Sequence, residues 1–132
     1  MNTAPRQFLA FGLTGGIGFL TDAGLLLALQ NLADVPLAAA RLISFTTALT
    51  ITWQLNRRFT FAGGANRPLI QEWGRYALTH GTGGLINLGL FFVLVSALPG
   101  MPGQPITALL IATSISLSFN FLVSRHFVFA LR

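Results

Sequence analysis

Two short phrases in the sequence carry the densest groups of side chains that can bind an anion. The first, "LNRRFTF", holds Arg57 and Arg58, and the second, "VSRHFVF", holds Arg125 and His126. A planar guanidinium matches a phosphate because it can donate two parallel hydrogen bonds to it. Each phrase follows a long apolar segment, so the pattern indicates a phosphate-bearing ligand at a membrane surface. A simpler alternative stays open, in which these bases only anchor helix ends.

Three of the polar side chains inside the first and third apolar segments are candidates for function. Asp22 is in the first segment, and His80 and Asn87 are in the third. An ionisable group is costly in hydrocarbon, which makes it a functional candidate. We expect Asp22 and Asn87 to line a small groove between the first and third segments, with His80 on the face of Asn87. The alternatives are that Asp22 and Asn87 bond to each other, or that Asp22 pairs with Arg41.

The second and fourth segments each carry a stripe of polar side chains that ends at a basic phrase. Steps of three and four residues place such side chains on one face of a helix. We expect both stripes to shelter a polar head group, and we count Asn120 among the binding residues. The phenylalanines of the two phrases are expected to enter the membrane interface. The stripes consist of Thr47, Thr50, Gln54 and Arg58, and of Thr113, Ser116, Asn120 and Ser124.

Enzyme chemistry has little support in this sequence. The three acids, Asp22, Asp34 and Glu72, are scattered and have no general acid–base spacing. No serine has a credible base beside it, and no glycine-rich phosphate loop follows a strand. The chain has no cysteine, and an isolated histidine is weak evidence for a metal. We therefore expect no catalysis, no cofactor and no metal.

The elements that position these residues follow from the composition. Hydrophobic residues make up 53% of the 132 residues and charged residues 8%, too few to cover a soluble surface. Four apolar segments are each close to the ~20 residues that a helix needs to cross a bilayer. The sequence therefore predicts an all-α protein with four transmembrane helices. The segments run over about Phe8–Leu29, Leu37–Leu55, Trp73–Leu98 and Ile106–Val123.

The arginines predict an orientation. Seven of the eight flank the N-terminus, the middle loop or the C-terminus, and Arg41 is the exception. Since positive loops stay in the cytoplasm, both termini and the middle loop are expected there. The net charge of +5 is not taken as a sign of nucleic-acid binding, because the bases flank membrane segments and lie nearest to lipid head groups.

The sequence also contains an internal repeat. A shift of 65 residues places the first segment on the third and Asp22 on Asn87, and a shift of 68 places "RRFTF" on "RHFVF". We expect one domain over residues 1–132, built from two parallel helical hairpins at about residues 5–62 and 70–130. Small-residue steps, Gly12–Gly16 and Ala77–Gly81, are expected to pack helices closely. Four helices enclose little volume, so a homo-oligomer is expected.

Taken together, these segments resemble the GtrA-like family of small bacterial membrane proteins. The likeness covers "RQFLAFGLTGGIGFLTDAGLLLAL", "NRRFTF", "RYALTHGTGGLINLGL" and "SFNFLVSRHFVF". The family tends to have Asn-Phe in both even segments, whereas the second segment here has Thr52-Trp53. The resemblance implies a bacterial cytoplasmic membrane protein of cell-surface polysaccharide synthesis. It also implies work on polyprenyl phosphate or its sugar conjugates.

Three functions remain open from the sequence. The leading hypothesis is a translocase for polyprenyl-phosphate-linked sugar, in which Arg57, Arg58, Arg125 and His126 receive the phosphate. In this hypothesis Asp22 and Asn87 contact the sugar or take part in gating. The second is a non-transporting anchor or accessory subunit for a glycosyltransferase. The third is a small exporter of cations or drugs that uses Asp22 as its proton-coupled acid.

Overall fold

The computed structural model describes residues 3–63, 67–100, 102–103 and 106–129, and its framework is four α-helices. Over these residues no strand is present, and the all-α prediction is confirmed. The second and fourth helices have the predicted bounds. The first helix is four residues longer at each end than predicted, and the third begins four residues earlier. The helices are α1 (Ala4–Ala33), α2 (Leu37–Leu55), α3 (Leu69–Ala97) and α4 (Ile106–Val123).

By length and composition, three segments of the described chain are able to cross a membrane. They are α1, α3 and Thr107–Val128, which is α4 with the turn that follows it. The 19 residues of α2 fall outside this group, since they include Arg41 and several hydroxyl side chains. A four-span arrangement is compatible with these helices, because α2 returns beside α1 and packs polar side chains against it. The protein is a multi-pass membrane protein.

The chain divides into two compact units, Met1–Gly64 and Ala65–Arg132. The first unit is a hairpin in which α1 packs against α2, and the second is a hairpin in which α3 packs against α4. Large apolar side chains such as Leu13, Phe19 and Leu85 point away from the helix contacts. Such surfaces suit lipid, which solvates leucine and phenylalanine as well as a protein interior does.

Each hairpin buries the same positions along its helices. On α1 and α3 the buried residues are spaced by four, three and four, which defines one helix face. They are Gln7, Phe11, Thr14 and Gly18 on α1, and Glu72, Tyr76, Thr79 and Gly83 on α3. Four of the six buried residues of α2 also have buried counterparts on α4 at the shift of 68, whereas the counterparts of Leu49 and Thr52 are half-buried. Ala40, Ser44, Ala48 and Trp53 match Ala108, Ala112, Ser116 and Phe121.

One glycine in each hairpin allows its helices to approach closely. A Cβ atom at Gly18 would overlap the Thr52 side chain, and a Cβ atom at Gly83 would overlap the Asn120 amide. Gly12, Gly16 and Gly81 meet no neighbouring atom at that distance. The small-residue steps read from the sequence therefore do not form the contacts within the hairpins, which use Gly18 and Gly83 instead. Thr52 and Asn120 occupy equivalent places in the repeat, and each packs against a glycine.

Gly83→Ala is expected to destabilise the second hairpin by about 1.5 kcal/mol, because the added methyl group must displace the Asn120 amide. The free energy of unfolding in mixed detergent micelles measures this cost. Gly84→Ala is the matched control, since a Cβ atom there meets nothing within 4 Å. An equal loss of stability in both variants would show that the Asn120 contact is not what requires glycine.

Each even-numbered helix ends in a π-helical turn that contains the basic phrase. The turns span Asn56–Thr60 and Ser124–Val128. In each, an amide bonds to the carbonyl five residues earlier: Phe61 N lies 2.8 Å from Asn56 O, and Phe129 N lies 2.9 Å from Ser124 O. One extra residue per turn changes which side of the helix the following side chains face. The turn therefore determines where the basic and aromatic groups of each phrase point.

Candidate functional site

The two basic phrases present their charged groups at one end of each hairpin, which we call the basic end. In the first hairpin Arg57 and Arg58 are exposed. In the second His126 is exposed and Arg125 is half-buried. The sequence prediction grouped these four residues as phosphate ligands. The structure places two of them at the basic end of each hairpin; the two arginines of the first hairpin are exposed, whereas the Nε atom of Arg125 is buried.

The phenylalanines of each phrase divide into one exposed and one buried side chain. Phe59 and Phe127 are exposed, whereas Phe61 and Phe129 are each only 1% exposed. Phe61 packs near Phe11, with ring centroids 6.0 Å apart, and Phe129 packs near Tyr76 at 6.2 Å. The prediction that all four rings enter the membrane interface was wrong for Phe61 and Phe129, because the π-helical turn directs them into the hairpin.

Two other arginines of the second hairpin are engaged in holding its basic end together. Arg67 and Arg75 both donate to the Phe127 carbonyl, at 2.9 and 3.3 Å. The Arg75 guanidinium also lies 4.4 Å from the centre of the Phe127 ring. A carbonyl at the end of a helix has no partner within that helix, and these arginines satisfy it. Sequence reasoning missed this role, since a carbonyl acceptor leaves no signal in the sequence.

An ion pair crosses the first hairpin at its other end, near the loop that joins α1 to α2. Arg41 Nη1 donates to Asp22 Oδ2 at 2.6 Å, and Ser44 Oγ donates to Asp22 Oδ1 at 2.7 Å. The Asp22 side chain is 18% exposed and that of Arg41 is 53% exposed. Of the alternatives for Asp22, the structure shows the pairing with Arg41. Ser44 was not predicted, although it lies one helical turn beyond Arg41 on α2.

The equivalent place in the second hairpin has no charge. Asn87, which matches Asp22, donates from Nδ2 to Thr113 Oγ1 at 3.1 Å. Leu109 stands where the first hairpin has Arg41. The repeat is therefore uneven: both hairpins carry a basic end, but the first has an intramembrane ion pair and the second has a neutral hydrogen bond. The predicted groove between the first and third helices stays a prediction.

His80 makes a contact within its own helix. Its Nδ1 lies 3.1 Å from the Tyr76 carbonyl, and its ring centroid lies 4.0 Å from that of Tyr76. Because a carbonyl oxygen only accepts hydrogen bonds, Nδ1 is the ring nitrogen that carries the hydrogen. Within the described residues no three histidine, cysteine, aspartate or glutamate side chains lie close enough to hold a metal ion. The structure thus gives His80 a packing role, and its role in binding stays a prediction.

The two polar stripes have different environments. On α4, Ser116 donates to the Gly83 carbonyl at 2.7 Å, Ser124 is fully buried, and Asn120 lies against Gly83. This stripe mostly faces α3 inside the hairpin, so it joins helices and is not an open track for a head group. On α2, Gln54 is exposed and Thr47 is half-buried. The accessible polar stripe therefore lies on α2, on the same helix as Arg41 and the first basic phrase.

The sequence of this chain matches a known protein family. A family model described as the GtrA/DPMS transmembrane domain matches residues 10–129, which is nearly the whole described chain. The protein belongs to the GtrA/DPMS family. The match includes both hairpins, both π-helical turns and the Asp22–Arg41 pair. Membership relates this membrane protein to processes that involve glycosyl carrier lipids. The basic ends are therefore candidate contacts for the phosphate of such a lipid.

Proposed function

We propose that this GtrA/DPMS protein binds polyprenyl phosphate or a polyprenyl-phosphate-linked sugar and moves it across the bacterial cytoplasmic membrane. The step serves cell-surface polysaccharide synthesis. Both termini and both basic ends lie on the cytoplasmic side, as the distribution of arginines predicts. The protein acts by binding and transport, without catalysis or a cofactor. It works as a homo-oligomer, because the four helices of one chain enclose little volume for a sugar.

The observation that carries this proposal is the pairing of two exposed bases with an exposed aromatic ring at the basic end of the first hairpin. Arg57 and Arg58 offer charged hydrogen-bond donors, and Phe59 beside them offers an apolar surface. A polyprenyl phosphate has the complementary structure, an anionic head on an apolar chain. The guanidinium fork fits the phosphate oxygens, while the ring and the outer leucines contact the chain. The second hairpin has a related but less exposed arrangement, in which His126 and Phe127 are exposed, Arg125 is half-buried and the Arg75 guanidinium lies over the Phe127 ring.

The polar side chains further along the helices fit the passage of a sugar. Asp22 and Asn87 present oxygen and nitrogen atoms that can exchange their present partners for sugar hydroxyl groups. Besides the Arg41 guanidinium, which stays bound to Asp22 Oδ2, the partners are the hydroxyl side chains of Ser44 and Thr113. Exchange between hydroxyl groups costs little, because each hydrogen bond lost is replaced by one of the same kind. The pairing of Asp22 with Arg41 speaks against the exporter hypothesis, which needs a mid-membrane carboxylate on an aromatic cavity as its proton-coupled acid.

Reconstitution into vesicles tests the proposal. A labelled short-chain polyprenyl-phosphate sugar is placed in one leaflet, and its appearance in the other leaflet is followed by enzymatic or chemical trapping. We expect movement faster than in protein-free vesicles, and a polyprenol of the same length without phosphate should not move faster. Native mass spectrometry of the gently purified protein should show bound polyprenyl phosphate and the oligomeric state.

The glycosyltransferase-anchor hypothesis gives a different outcome in the same experiments. An anchor would leave the labelled lipid in its original leaflet. Under this hypothesis Asp22→Asn and Arg57→Ala would also retain function in cells as long as they still bound the transferase. Absence of transport together with absence of bound lipid would overturn our proposal.

A further inference from the structure

The ion pair of the first hairpin is not required to build the fold. The second hairpin has the same buried positions, a close glycine contact at the same place and the same π-helical turn, yet it has Asn87, Thr113 and Leu109 at this level. A charged pair inside a membrane is more costly than a neutral one. The repeat therefore gives no structural reason for an ion pair at this level, which only the first hairpin carries.

Arg41 is held in position and is also accessible. Its Nη1 is bound to Asp22, its guanidinium lies 5.8 Å from the centre of the Phe45 ring, and about half of its side chain is exposed. A guanidinium has five N–H donors in a fixed plane, so a single bond to a carboxylate leaves other N–H donors that can bind a second anion. Arg41 can thus receive an anion while Asp22 and Phe45 fix its direction.

The distance between Arg41 and the basic end covers most of the thickness of a membrane's hydrocarbon core. Arg41 and Arg57 are sixteen residues apart, and Arg57 lies in the turn that continues α2. At 1.5 Å per residue the separation along the helix is ~24 Å, against a hydrocarbon core of ~30 Å. One helix therefore carries guanidinium groups near both membrane surfaces, and the exposed Gln54 and half-buried Thr47 lie between them.

We propose that Arg41 is a second phosphate-binding site, at the end of the first hairpin opposite to its basic end. This inference rests on the proposed function and deepens it, since Arg41 would receive the phosphate of the translocated lipid after its passage. Asp22 gives this site a means of release. Its carboxylate competes with the phosphate for the same guanidinium, and a site on a transport route must bind weakly enough for its ligand to leave.

Site-specific photo-crosslinking tests the site in the full-length protein in vesicles. A benzophenone amino acid replaces exposed Leu42, beside Arg41, or exposed Phe59, beside Arg58. Leu110, also exposed, is the matched control, because it is the equivalent of Leu42 in the hairpin that lacks the arginine. The probe is a labelled short-chain polyprenyl phosphate, compared with the polyprenol of the same length.

We expect phosphate-dependent labelling at positions 42 and 59 and none at position 110. Arg41→Ala should lower labelling at position 42 by about tenfold, as expected for the loss of a charged hydrogen bond, and should leave position 59 unchanged. Asp22→Asn should increase labelling at position 42, because the competing charge is gone. Inorganic phosphate added as a competitor shows whether the site binds free phosphate or the phosphate of a lipid head group. Displacement at position 42 would point to free phosphate, and persistence would point to the lipid head group.

The outcomes separate the two proposals. Labelling at position 59 but not at position 42, or equal labelling at position 42 with and without Arg41, would overturn the second site and leave the proposed function intact. Absence of phosphate-dependent labelling at both positions would overturn the proposed function itself.

Discussion

Replacing Arg57 and Arg58 together by alanine is expected to weaken the binding of polyprenyl phosphate by about 100-fold. Each charged hydrogen bond to a phosphate contributes about 1.5 kcal/mol or more, and each 1.4 kcal/mol is a factor of ten in affinity. Both side chains are exposed at the basic end of the first hairpin, while Phe61 supplies the buried contact of the same phrase. Binding of a fluorescent short-chain polyprenyl phosphate to the protein in nanodiscs measures the affinity.

Two controls separate a phosphate contact from a general loss of charge or of anchoring. Arg6→Ala removes an exposed base in the first turn of α1 and should change the affinity little. The double lysine variant keeps both charges but loses the guanidinium fork, so an intermediate affinity is expected. Loss of affinity in the Arg6 variant equal to that in the double variant would count against specific recognition.

The repeat extends this prediction to the second hairpin. Arg125→Ala with His126→Ala removes the equivalent side chains, and a smaller loss of affinity is expected because Arg125 is half-buried and an imidazole has fewer N–H donors than a guanidinium. The same nanodisc titration compares the two double variants. Equal effects would show that both hairpins contact the lipid alike.

Asp22→Ala is expected to destabilise the first hairpin by about 2 kcal/mol, because it leaves the Arg41 charge in the membrane without its partner. The figure is below the full cost for the middle of a bilayer, since Arg41 is half exposed and lies near a helix end. Adding Arg41→Ala to Asp22→Ala should restore most of the lost stability, since no unpaired charge remains. Unfolding in mixed detergent micelles measures all three variants.

The second hairpin again supplies the matched control. Asn87→Ala removes only the hydrogen bond to Thr113, for which about 0.6 kcal/mol is typical between membrane helices. A cost for Asp22→Ala no larger than that for Asn87→Ala would contradict the importance of the charge. So would a double variant whose loss equals the sum of the two single losses.

Much of the fold follows from local properties of the sequence. Runs of about 20 apolar residues require helices, because only a helix satisfies its backbone hydrogen bonds within lipid. The bounds of α2 and α4 were predictable for this reason, since Pro36 and Pro105 precede them and a basic phrase follows each. The N-terminal ends of α1 and α3 could not be predicted in the same way, because polar residues such as Arg6, Gln71 and Glu72 are compatible with either a helix or a loop.

The candidate site was predictable in residue type and only partly in arrangement. The bases of both phrases and the polar pair at Asp22 and Asn87 could be read directly. The repeat shift also aligned Thr52 with Asn120 in the sequence. The contact of Thr52 with Gly18, and that of Asn120 with Gly83, depend on which helix faces meet. More than one face of α1 carries glycine, and the spacing of small residues alone predicted the helix contact at Gly12 and Gly16 instead of at Gly18.

The sequence by itself determined the helices, the repeat, the basic ends and the family, since these depend on composition and on residues close together in the chain. Only the tertiary structure decided which polar groups are bound to one another. Asp22 and Arg41 are nineteen residues apart, and their contact exists because α2 folds back beside α1 in one register. The π-helical turns were likewise decided by packing, because the buried positions of Phe61 and Phe129 stabilise a turn that neither phrase specifies locally.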